Sequence, residues 1–165
     1  MIHSLYSKVN IIALVIFSLF TPSIAWGALP LENSLPLLKV IGSEQGLKNN
    51  AINRIIKDRN GMIWSASFSG IFYYDGFQAK QLTSPLIDSG VVAMRDSYSG
   101  DGIYLGNESG LFYFELASLE IEKIEFSDGK KSLKVYVNSI IDTEKFTFVG
   151  TMTGVYRYDK LNKSV

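Results

Sequence analysis

The sequence has no cysteine and one histidine, His3, among its 165 residues. Without cysteine the chain has no disulfide, no zinc–thiolate site and no thiol nucleophile. His3 lies in an N-terminal segment that we expect to be removed, so the mature chain has no histidine for a triad, a metal site or phosphoryl transfer. We therefore predict no catalytic residue, no metal ligand and no cofactor site.

An excess of charge of either sign is also missing, because 16 Lys and Arg balance 16 Asp and Glu. Binding to a nucleic-acid backbone needs a surplus of positive charge on one face, so we do not expect a nucleic-acid partner. Aromatic residues are abundant, with 10 Phe, 9 Tyr and 2 Trp. The length is sufficient for about one domain.

Residues 1–27 have the pattern of a secretory signal peptide. Lys8 precedes a 12-residue apolar run, Val9–Phe20, and Pro22 follows it. Small residues then lead to a cleavage site, which we place after Gly27, although a cut after Ala25 also fits. The run is shorter than the about 20 apolar residues of a membrane span, so an uncleaved anchor is the weaker alternative. We expect a periplasmic or exported product with no membrane span in the mature chain.

A 12-residue pattern recurs three times in the chain, around Gly70, Gly110 and Gly154. In each copy an aromatic residue lies six positions before the glycine, a small residue four positions before it, and Ser or Thr directly before it. An aliphatic residue, an aromatic, a variable residue, a second aromatic and an acid follow the glycine. The glycines are 40 and 44 residues apart, a spacing typical of repeats that each form one supersecondary unit.

The segments of each repeat favour β-strands, because they are short, rich in β-branched and aromatic residues, and bounded by polar turns. A first strand is predicted before each copy, at Ile52–Asp58, Val91–Asp96 and Val135–Asp142. A fourth strand follows the first two copies, at Phe77–Leu82 and Glu120–Phe126. The third copy reaches Val165 where its fourth strand is expected to form.

Four short antiparallel strands that recur at this interval are typical of a β-propeller blade. We therefore predict an all-β fold, a partial β-propeller of about three four-stranded antiparallel blades. The blades lie approximately at residues 46–84, 88–127 and 133–165. The signal-peptide helix precedes them, followed by a lead-in segment with a first strand at residues 28–45. So few blades leave apolar sheet faces without a partner.

The sequence also predicts the chemistry of the turns. Asn60-Gly61 lies between two apolar runs and favours a type I′ hairpin turn, in which both residues have positive φ. The repeated glycine predicts a positive-φ position between the second and third strands of each blade. We expect Asp75, Glu115 and Asp159 to cap backbone amides at the start of turns instead of forming an acidic site.

Two groups of side chains resemble a ligand-binding or metal site, but a structural role explains each of them. A recurring aromatic stripe could form a ligand platform, but its presence in every copy favours a core between blades: Phe72, Tyr74, Phe112, Phe114, Tyr156 and Tyr158. Asp58 with Asn60 could bind calcium, but a hairpin turn explains both residues without a metal. We therefore name no ligand-binding residue.

The stretch Gly46–Trp64 and its continuation to Tyr74–Gly76 resemble a two-component regulator propeller repeat. The family pattern runs from Gly-Leu-x-x-Asn-x-Val through an acidic turn with glycine and an aliphatic-Trp pair to Gly-Leu-x-x-Tyr-Asp-Gly. Here Ile52 replaces the usual Val. The later copies match less closely, with Tyr104 and Phe148 in place of Trp. The resemblance covers residues 37–160.

This resemblance implies a periplasmic sensor region in front of a membrane span. The family's cytoplasmic output is commonly a hybrid histidine kinase or a GGDEF diguanylate cyclase, and the ligand is in several cases an oligosaccharide. The sequence contains no kinase motif and no GGDEF sequence, so no output residue is transferred to it. We expect a ligand-sensing region that lacks its output domain here and is not itself an enzyme.

Two other functions stay open at this point. A free exported binding protein, of a carbohydrate-binding type, would complete a propeller by dimerising, because two copies supply six blades. A sialidase-like hydrolase is disfavoured, because the turn after Asp58 has two residues before its glycine where the sialidase Asp-box has one. The predicted partners are a small molecule or oligosaccharide, together with further blades in cis or a second copy in trans.

Overall fold

The computed structural model describes residues 38–49, 51–87, 89–127 and 131–165. These residues form an all-β structure with one short 3-10 turn, Ser43–Gln45. The predicted signal peptide, its cleavage after Gly27 and residues 28–37 of the lead-in segment lie outside the described residues. Within the described ranges, no helix has the length and apolar character needed to cross a membrane.

The described strands form three successive antiparallel sheets. The first sheet contains β1 (Ile52–Lys57), β2 (Ile63–Ser67), β3 (Gly70–Tyr74) and β4 (Ala79–Leu82). The second contains β5 (Ala93–Asp96), β6 (Gly102–Asn107), β7 (Gly110–Glu115) and β8 (Ile121–Ile124). A short ladder follows, β9 (Phe126–Ser127) with β10 (Ser132–Leu133), and then the third sheet, β11 (Val137–Asp142), β12 (Phe146–Thr151) and β13 (Gly154–Asp159). Strands that are neighbours in the chain are neighbours in every sheet, which confirms the predicted propeller-blade fold.

The third sheet has three strands in the described part of the chain. After β13 the chain turns, and Asp159 and Ser164 form an isolated bridge instead of a strand. The predicted fourth strands of the first two sheets are present but shorter than predicted. In the first sheet the amides of Phe77 and Gln78 donate to the Asp75 carboxylate, which holds both residues in the turn.

The repeated glycine adopts the backbone conformation that the sequence predicts. Gly70, Gly110 and Gly154 have φ values of 115°, 134° and 141°. Each pairs with the last residue of the preceding strand across a two-residue turn. Because these φ values are strained for residues with a Cβ, glycine is required at this position of each copy.

The predicted type I′ turn at Asn60-Gly61 is wrong. Gly61 has φ of 87°, but Asn60 is not among the described residues with positive φ. The amide of Asp58 donates to the carbonyl of Met62, and the amide of Gly61 donates to the carbonyl of Asp58. The loop therefore has three residues, and a three-residue hairpin loop needs positive φ at its last position only.

The lead-in segment also differs from its prediction, because residues 38–44 form no strand. The Gly42 amide instead donates to the Gln45 side chain at 2.8 Å in front of the 3-10 turn. The side chains of Ile41 and Leu47 pack on the first sheet, in a cluster with Phe72. Side-chain contact thus attaches this segment to the sheet without strand pairing.

The apolar core lies between the sheets, because successive side chains of a strand point to opposite faces. On β3, Ile71 and Tyr73 face the second sheet, whereas Phe72 and Tyr74 face the lead-in segment. One cluster lies between the first and second sheets and includes Trp64, Ala66, Ile71, Val91, Met94, Phe112 and Phe114. A second lies between the second and third sheets and includes Ala93, Tyr104, Leu111, Phe126, Val137 and Val149.

Four residues of the recurring aromatic stripe lie in the core between sheets, as predicted, whereas Phe72 and Tyr74 pack against the lead-in segment. Phe72, Phe112 and Phe114 are buried. Tyr156 and Tyr158 are half-buried and pack against the second cluster. Fully burying one such side chain stabilises the fold by about 1.5–3 kcal/mol relative to leaving it exposed.

In the first two sheets a small residue receives a β-branched side chain from the next sheet. Val137 lies over Gly106, where an added Cβ would be 2.4 Å from the Val137 Cγ1 atom. At the same repeat positions Val91 shares the first cluster with Ala66. The Val91 amide also donates to the Ser67 carbonyl at 3.0 Å. This contact explains the small residue four positions before the repeated glycine in the first two copies.

We predict that Gly106→Ala lowers the free energy of unfolding by about 1–3 kcal/mol, because the new methyl group overpacks the contact with Val137. Urea denaturation of the purified chain measures this change. The control is the double variant Gly106→Ala, Val137→Ala, which removes the nearest clash, that with the Val137 Cγ1 atom at 2.4 Å, and keeps the tighter-than-usual contact with the Cβ atom at 2.9 Å. Its loss should be less than the sum of the two single losses. Additive losses would contradict the proposed contact.

Candidate functional site

A cleft of about 590 Å³ opens between the second and third sheets. We call it the polar cleft. Its walls carry three tyrosines, four carboxylates and two lysines: Tyr104, Tyr113, Tyr158, Asp101, Glu115, Glu120, Glu122, Lys160 and Lys163. The loops after β5, β7 and β13 supply most of the charged groups. The cleft therefore offers hydrogen-bond donors, acceptors and aromatic rings on one surface.

The corresponding cleft between the first and second sheets has a volume of about 410 Å³ and a mainly apolar lining. We call it the apolar cleft. Its lining includes Trp64, Tyr73, Phe114, Leu116 and Leu119. At the same distances from the repeated glycine, the polar cleft has Tyr104, Tyr113, Tyr158, Lys160 and Lys163. Four of the five positions thus differ in chemistry between two copies of one structural unit.

One backbone position and one aromatic pair correspond closely in the two copies. Leu119 and Lys163 have φ values of 61° and 48° and are the described non-glycine residues with positive φ. The aromatic pairs also correspond, because the ring centroids of Trp64 and Tyr73 are 5.4 Å apart and those of Tyr104 and Tyr113 are 4.9 Å apart. The two clefts therefore share part of their backbone and aromatic geometry and differ in the chemistry of their side chains.

The tyrosines of the polar cleft are held in their neutral form. Burial raises the pKa of Tyr104 to about 12. Burial, together with the hydrogen bond to Asp101, raises the pKa of Tyr113, and burial with the nearby Glu122 carboxylate raises the pKa of Tyr158. At neutral pH all three phenols are hydroxyl groups with uncharged rings.

Asp101 is fixed at the edge of the polar cleft by three hydroxyl groups. Ser97, Ser99 and Tyr113 donate to its Oδ1 atom at 2.6, 2.5 and 2.6 Å. Partial burial would raise the pKa of Asp101, but the three hydrogen bonds together lower it well below its usual value. Asp101 is therefore ionised, and its position is set by the loop after β5.

Lys160 has a structural partner outside the cleft lining. Its Nζ atom donates to Asp142 at 2.7 Å, and the Asp142 side chain is 1% exposed. Thr147 and the Tyr98 amide also donate to the Asp142 carboxylate. The Lys160 ammonium lies 5.8 Å from the centre of the Tyr104 ring. This network joins the loops of the second and third sheets and supports one wall of the cleft.

The residues that the sequence singled out lie mostly outside this cleft. Asp58 accepts from the Met62 amide at 2.9 Å and from the Trp64 indole at 2.8 Å, so its carboxylate supports a turn and a core side chain. No group of three or more His, Cys, Asp or Glu residues in the described ranges is placed to hold a metal ion. The calcium interpretation of Asp58 and Asn60 therefore gains no support.

The predicted turn caps are confirmed at two of three positions. Asp75 accepts from the amides of two following residues, and Asp159 accepts from those of Leu161 and Asn162. These amide bonds lower the pKa of both carboxyls, with the Gln78 amide as the largest cause at Asp75. At Glu115 the prediction is wrong, because its carboxylate accepts from the Ser118 hydroxyl and lines the polar cleft.

Sequence reasoning missed the polar cleft, although the sequence contains a signal for it. Lys160 and Lys163 replace the leucines found at the same offsets in the second copy. Tyr158 differs from Phe114 of the second copy but matches Tyr74 of the first, so the two lysines are the departures from the repeat. These substitutions indicate a binding surface only when the structure shows that the substituted positions line one cavity.

Comparison with protein-family models gives no match, and no curated protein matches the sequence. Solved structures do match the fold. One is the extracellular domain assigned to a hybrid two-component system, BT3049, from B. thetaiotaomicron, with a TM-score of 0.63 and 19% identity over 76% of this chain and 19% of that chain. Another is the extracellular domain assigned to a one-component system, BT4673, from the same organism, with a TM-score of 0.60 and 20% identity over 70% of this chain and 16% of that chain. The chain thus spans less than one fifth of these structures, and at this identity the likeness shows the fold.

We predict that Asp101→Asn lowers the free energy of unfolding at neutral pH, because the neutral amide weakens three charge-assisted hydrogen bonds. A lowered pKa stabilises the folded state fully above the ordinary Asp pKa of about 3.9, and this stabilisation is lost as the pH falls toward the folded value. The difference between wild type and variant should therefore shrink below about pH 4. Urea denaturation at neutral and acidic pH measures it.

The Ser99→Ala variant serves as the comparison for this test, because it removes one of the three donors and keeps the carboxylate. It should show a smaller loss of stability with the same pH dependence. A difference between wild type and Asp101→Asn that stays constant or grows in acid would contradict the assignment.

Proposed function

We propose that this chain is the ligand-sensing β-propeller region of an exported, membrane-bound signal-transduction protein. The resemblance of its repeats to two-component regulator propellers supports this function, and so does the similarity of its fold to extracellular domains assigned to one- and two-component systems. The output would be a hybrid histidine kinase or a diguanylate cyclase, in a part of the protein that this sequence does not include.

The observation that carries a sensing function is the chemical change from the apolar to the polar cleft. Replacing Phe114 and Leu119 by their counterparts Tyr158 and Lys163 gives up apolar packing at an interface between sheets. A bound ligand explains why such a change is useful at one interface and not at the other. Tyrosine rings, carboxylate acceptors and an ammonium donor together suit a small polar, uncharged ligand such as a neutral oligosaccharide.

The groups of the polar cleft favour binding over catalysis. Asp101 is held ionised by three donors, and its proton affinity is too low for a general acid at neutral pH. The tyrosines are held as neutral phenols, which donate hydrogen bonds without acting as nucleophiles. The proposal therefore assigns the chain a recognition role and no reaction.

A free exported binding protein that completes its propeller by dimerising is the second candidate. The third sheet exposes the apolar side chain of Val155, which a second copy would cover in this candidate and further blades would cover in the first. The two candidates share the polar cleft and differ in what covers the third sheet.

We predict that a neutral tetrasaccharide of glucose, xylose or mannose binds the purified chain and raises its melting temperature. The double variant Tyr158→Phe, Lys163→Leu should weaken this binding by about tenfold or more, because it removes two donors and gives this part of the cleft the lining of the apolar cleft. The variant should still fold, because the same residue types occupy the same positions in the second copy. Isothermal titration calorimetry measures the affinity.

The matched control is Leu119→Lys, which introduces the lysine at the equivalent position of the apolar cleft. It should leave the affinity for the tetrasaccharide unchanged. The proposal is contradicted if none of the three tetrasaccharides binds, or if the double variant binds as tightly as the wild type.

A further inference from the structure

Two lysines in the lining of the polar cleft would by themselves favour an acidic ligand, because each supplies an ammonium group. The surroundings of the two lysines differ, however. Lys163 is exposed and forms no ion pair with a described carboxylate. The Lys160 side chain is 22% exposed, and its Nζ atom lies 2.7 Å from Asp142. The charge that a ligand meets therefore depends on Asp142, a residue outside the cleft lining.

Asp142 holds the Lys160 ammonium group in place because its own carboxylate is buried. The Asp142 side chain is 1% exposed, and it accepts hydrogen bonds from the Thr147 hydroxyl at 2.6 Å and from the Tyr98 amide at 2.7 Å. The Lys160 ammonium group also donates to the Thr143 carbonyl. Moving this ammonium group to an anionic ligand would leave a buried carboxylate without its cation. Such a loss costs far more free energy than an exposed ion pair returns.

The other charges of the polar cleft are mostly negative. Four carboxylates line it, and none of them forms an ion pair with a described lysine or arginine: Asp101, Glu115, Glu120 and Glu122. Because Asp142 offsets the charge of Lys160, Lys163 is the one lining cation of the described chain that stays available to a ligand. An acidic ligand would thus meet four carboxylates and one ammonium group, and repulsion would exceed attraction.

The second sheet contains an aspartate at the same position but in different surroundings. Strand pairing places Asp96 of β5 opposite Ile103, as it places Asp142 of β11 opposite Thr147. The Asp96 side chain is 54% exposed and lies 3.7 Å from Arg95. The aspartate of the third sheet is instead buried against a lysine that lines the polar cleft. The burial of this ion pair is therefore a property of the polar cleft and not of the repeat.

We propose that Asp142 is a positioning residue that sets the charge specificity of the polar cleft, because it neutralises and holds Lys160 and so excludes anionic ligands. The inference rests on the proposed binding function of this cleft and limits its ligand to sugars without carboxylate, sulfate or phosphate groups. Asp142 acts through Lys160 and does not itself touch the ligand. Without the Asp142 charge, Lys160 and Lys163 would present two ammonium groups, and the cleft would accept an acidic sugar.

The test compares neutral tetrasaccharides with acidic ones of the same backbone. The tetrasaccharides of glucose and of mannose are used as such and with each primary alcohol oxidised to a carboxylate. In isothermal titration calorimetry the purified chain should bind the acidic form at least about tenfold more weakly than the neutral form, because like charges repel.

The variant Asp142→Asn frees the Lys160 ammonium group. It should bind the acidic form about tenfold or more tightly than the wild type, with a neutral-sugar affinity within about threefold of the wild type. Added salt should weaken the gained binding, because the binding depends on charge. A purely structural role of Asp142 would instead change the two affinities alike.

Asp96→Asn is the matched control, because it removes the same charge at the equivalent position of the second sheet. It should leave both affinities unchanged. If circular dichroism shows that Asp142→Asn does not fold, the double variant Glu120→Gln, Glu122→Gln tests the charge of the cleft at exposed positions and should bind the acidic form more tightly than the wild type. In the wild type, acetic anhydride should modify Lys163 faster than Lys160.

The inference is overturned if the wild type binds the acidic form as tightly as the neutral form, or if Lys160 is acetylated as fast as Lys163. It is also overturned if folded Asp142→Asn, or the glutamine double variant in its place, gains no affinity for the acidic form. The proposed neutral ligand fails in a different way. If no neutral tetrasaccharide binds, but Asp142→Asn binds an acidic one that the wild type does not, the neutral ligand is rejected and the role of Asp142 is retained.

Discussion

The packing of a β-branched side chain from one sheet onto a small residue of the preceding sheet sets the arrangement of this protein. Val137 over Gly106 shows the contact most clearly, because the glycine has no room for a methyl group. Each sheet is apolar on both faces and depends on neighbours to bury them, as in other repeat architectures. The middle sheet has both neighbours, whereas the third sheet exposes Val155. The same packing contact thus explains why the middle sheet is buried on both faces and why Val155 of the third sheet is exposed.

Much of the fold could be predicted from the sequence, because the repeated glycine fixes the register of three copies. The strands, their order and the aromatic core followed from offsets around Gly70 and its counterparts. The turn at Asn60-Gly61 was predicted wrongly, because the dipeptide does not reveal that Asp58 pairs with Met62 and lengthens the loop. In the lead-in segment, residues 38–44 form no strand for a related reason. A strand needs a partner edge, and the side chains of this segment pack on a sheet face instead.

The polar cleft could not be predicted, because its residues are far apart in the sequence and their role depends on which loops converge. Tyr113 and Tyr158 belong to different sheets, and the recurring pattern assigned the stripe that contains Tyr158 to the core. The structure shows that one end of this stripe reaches an opening between loops. Lys163 then marks a difference between the two clefts, because Leu119 of the apolar cleft has the same positive-φ backbone conformation but an apolar side chain. Because the structural unit is repeated, equivalent positions of the two clefts can be compared within one chain. The positions at which their side chains differ identify the candidate binding surface.

The dependence of each sheet on its neighbours can be measured by residue-resolved hydrogen exchange at a concentration where the chain is monomeric. The account predicts the slowest exchange for amides of β6 and β7 in the middle sheet, which is covered on both faces, and markedly faster exchange for β12 and β13. Equal protection of all three sheets would contradict it, because burial by neighbouring sheets would then not determine the stability of the fold.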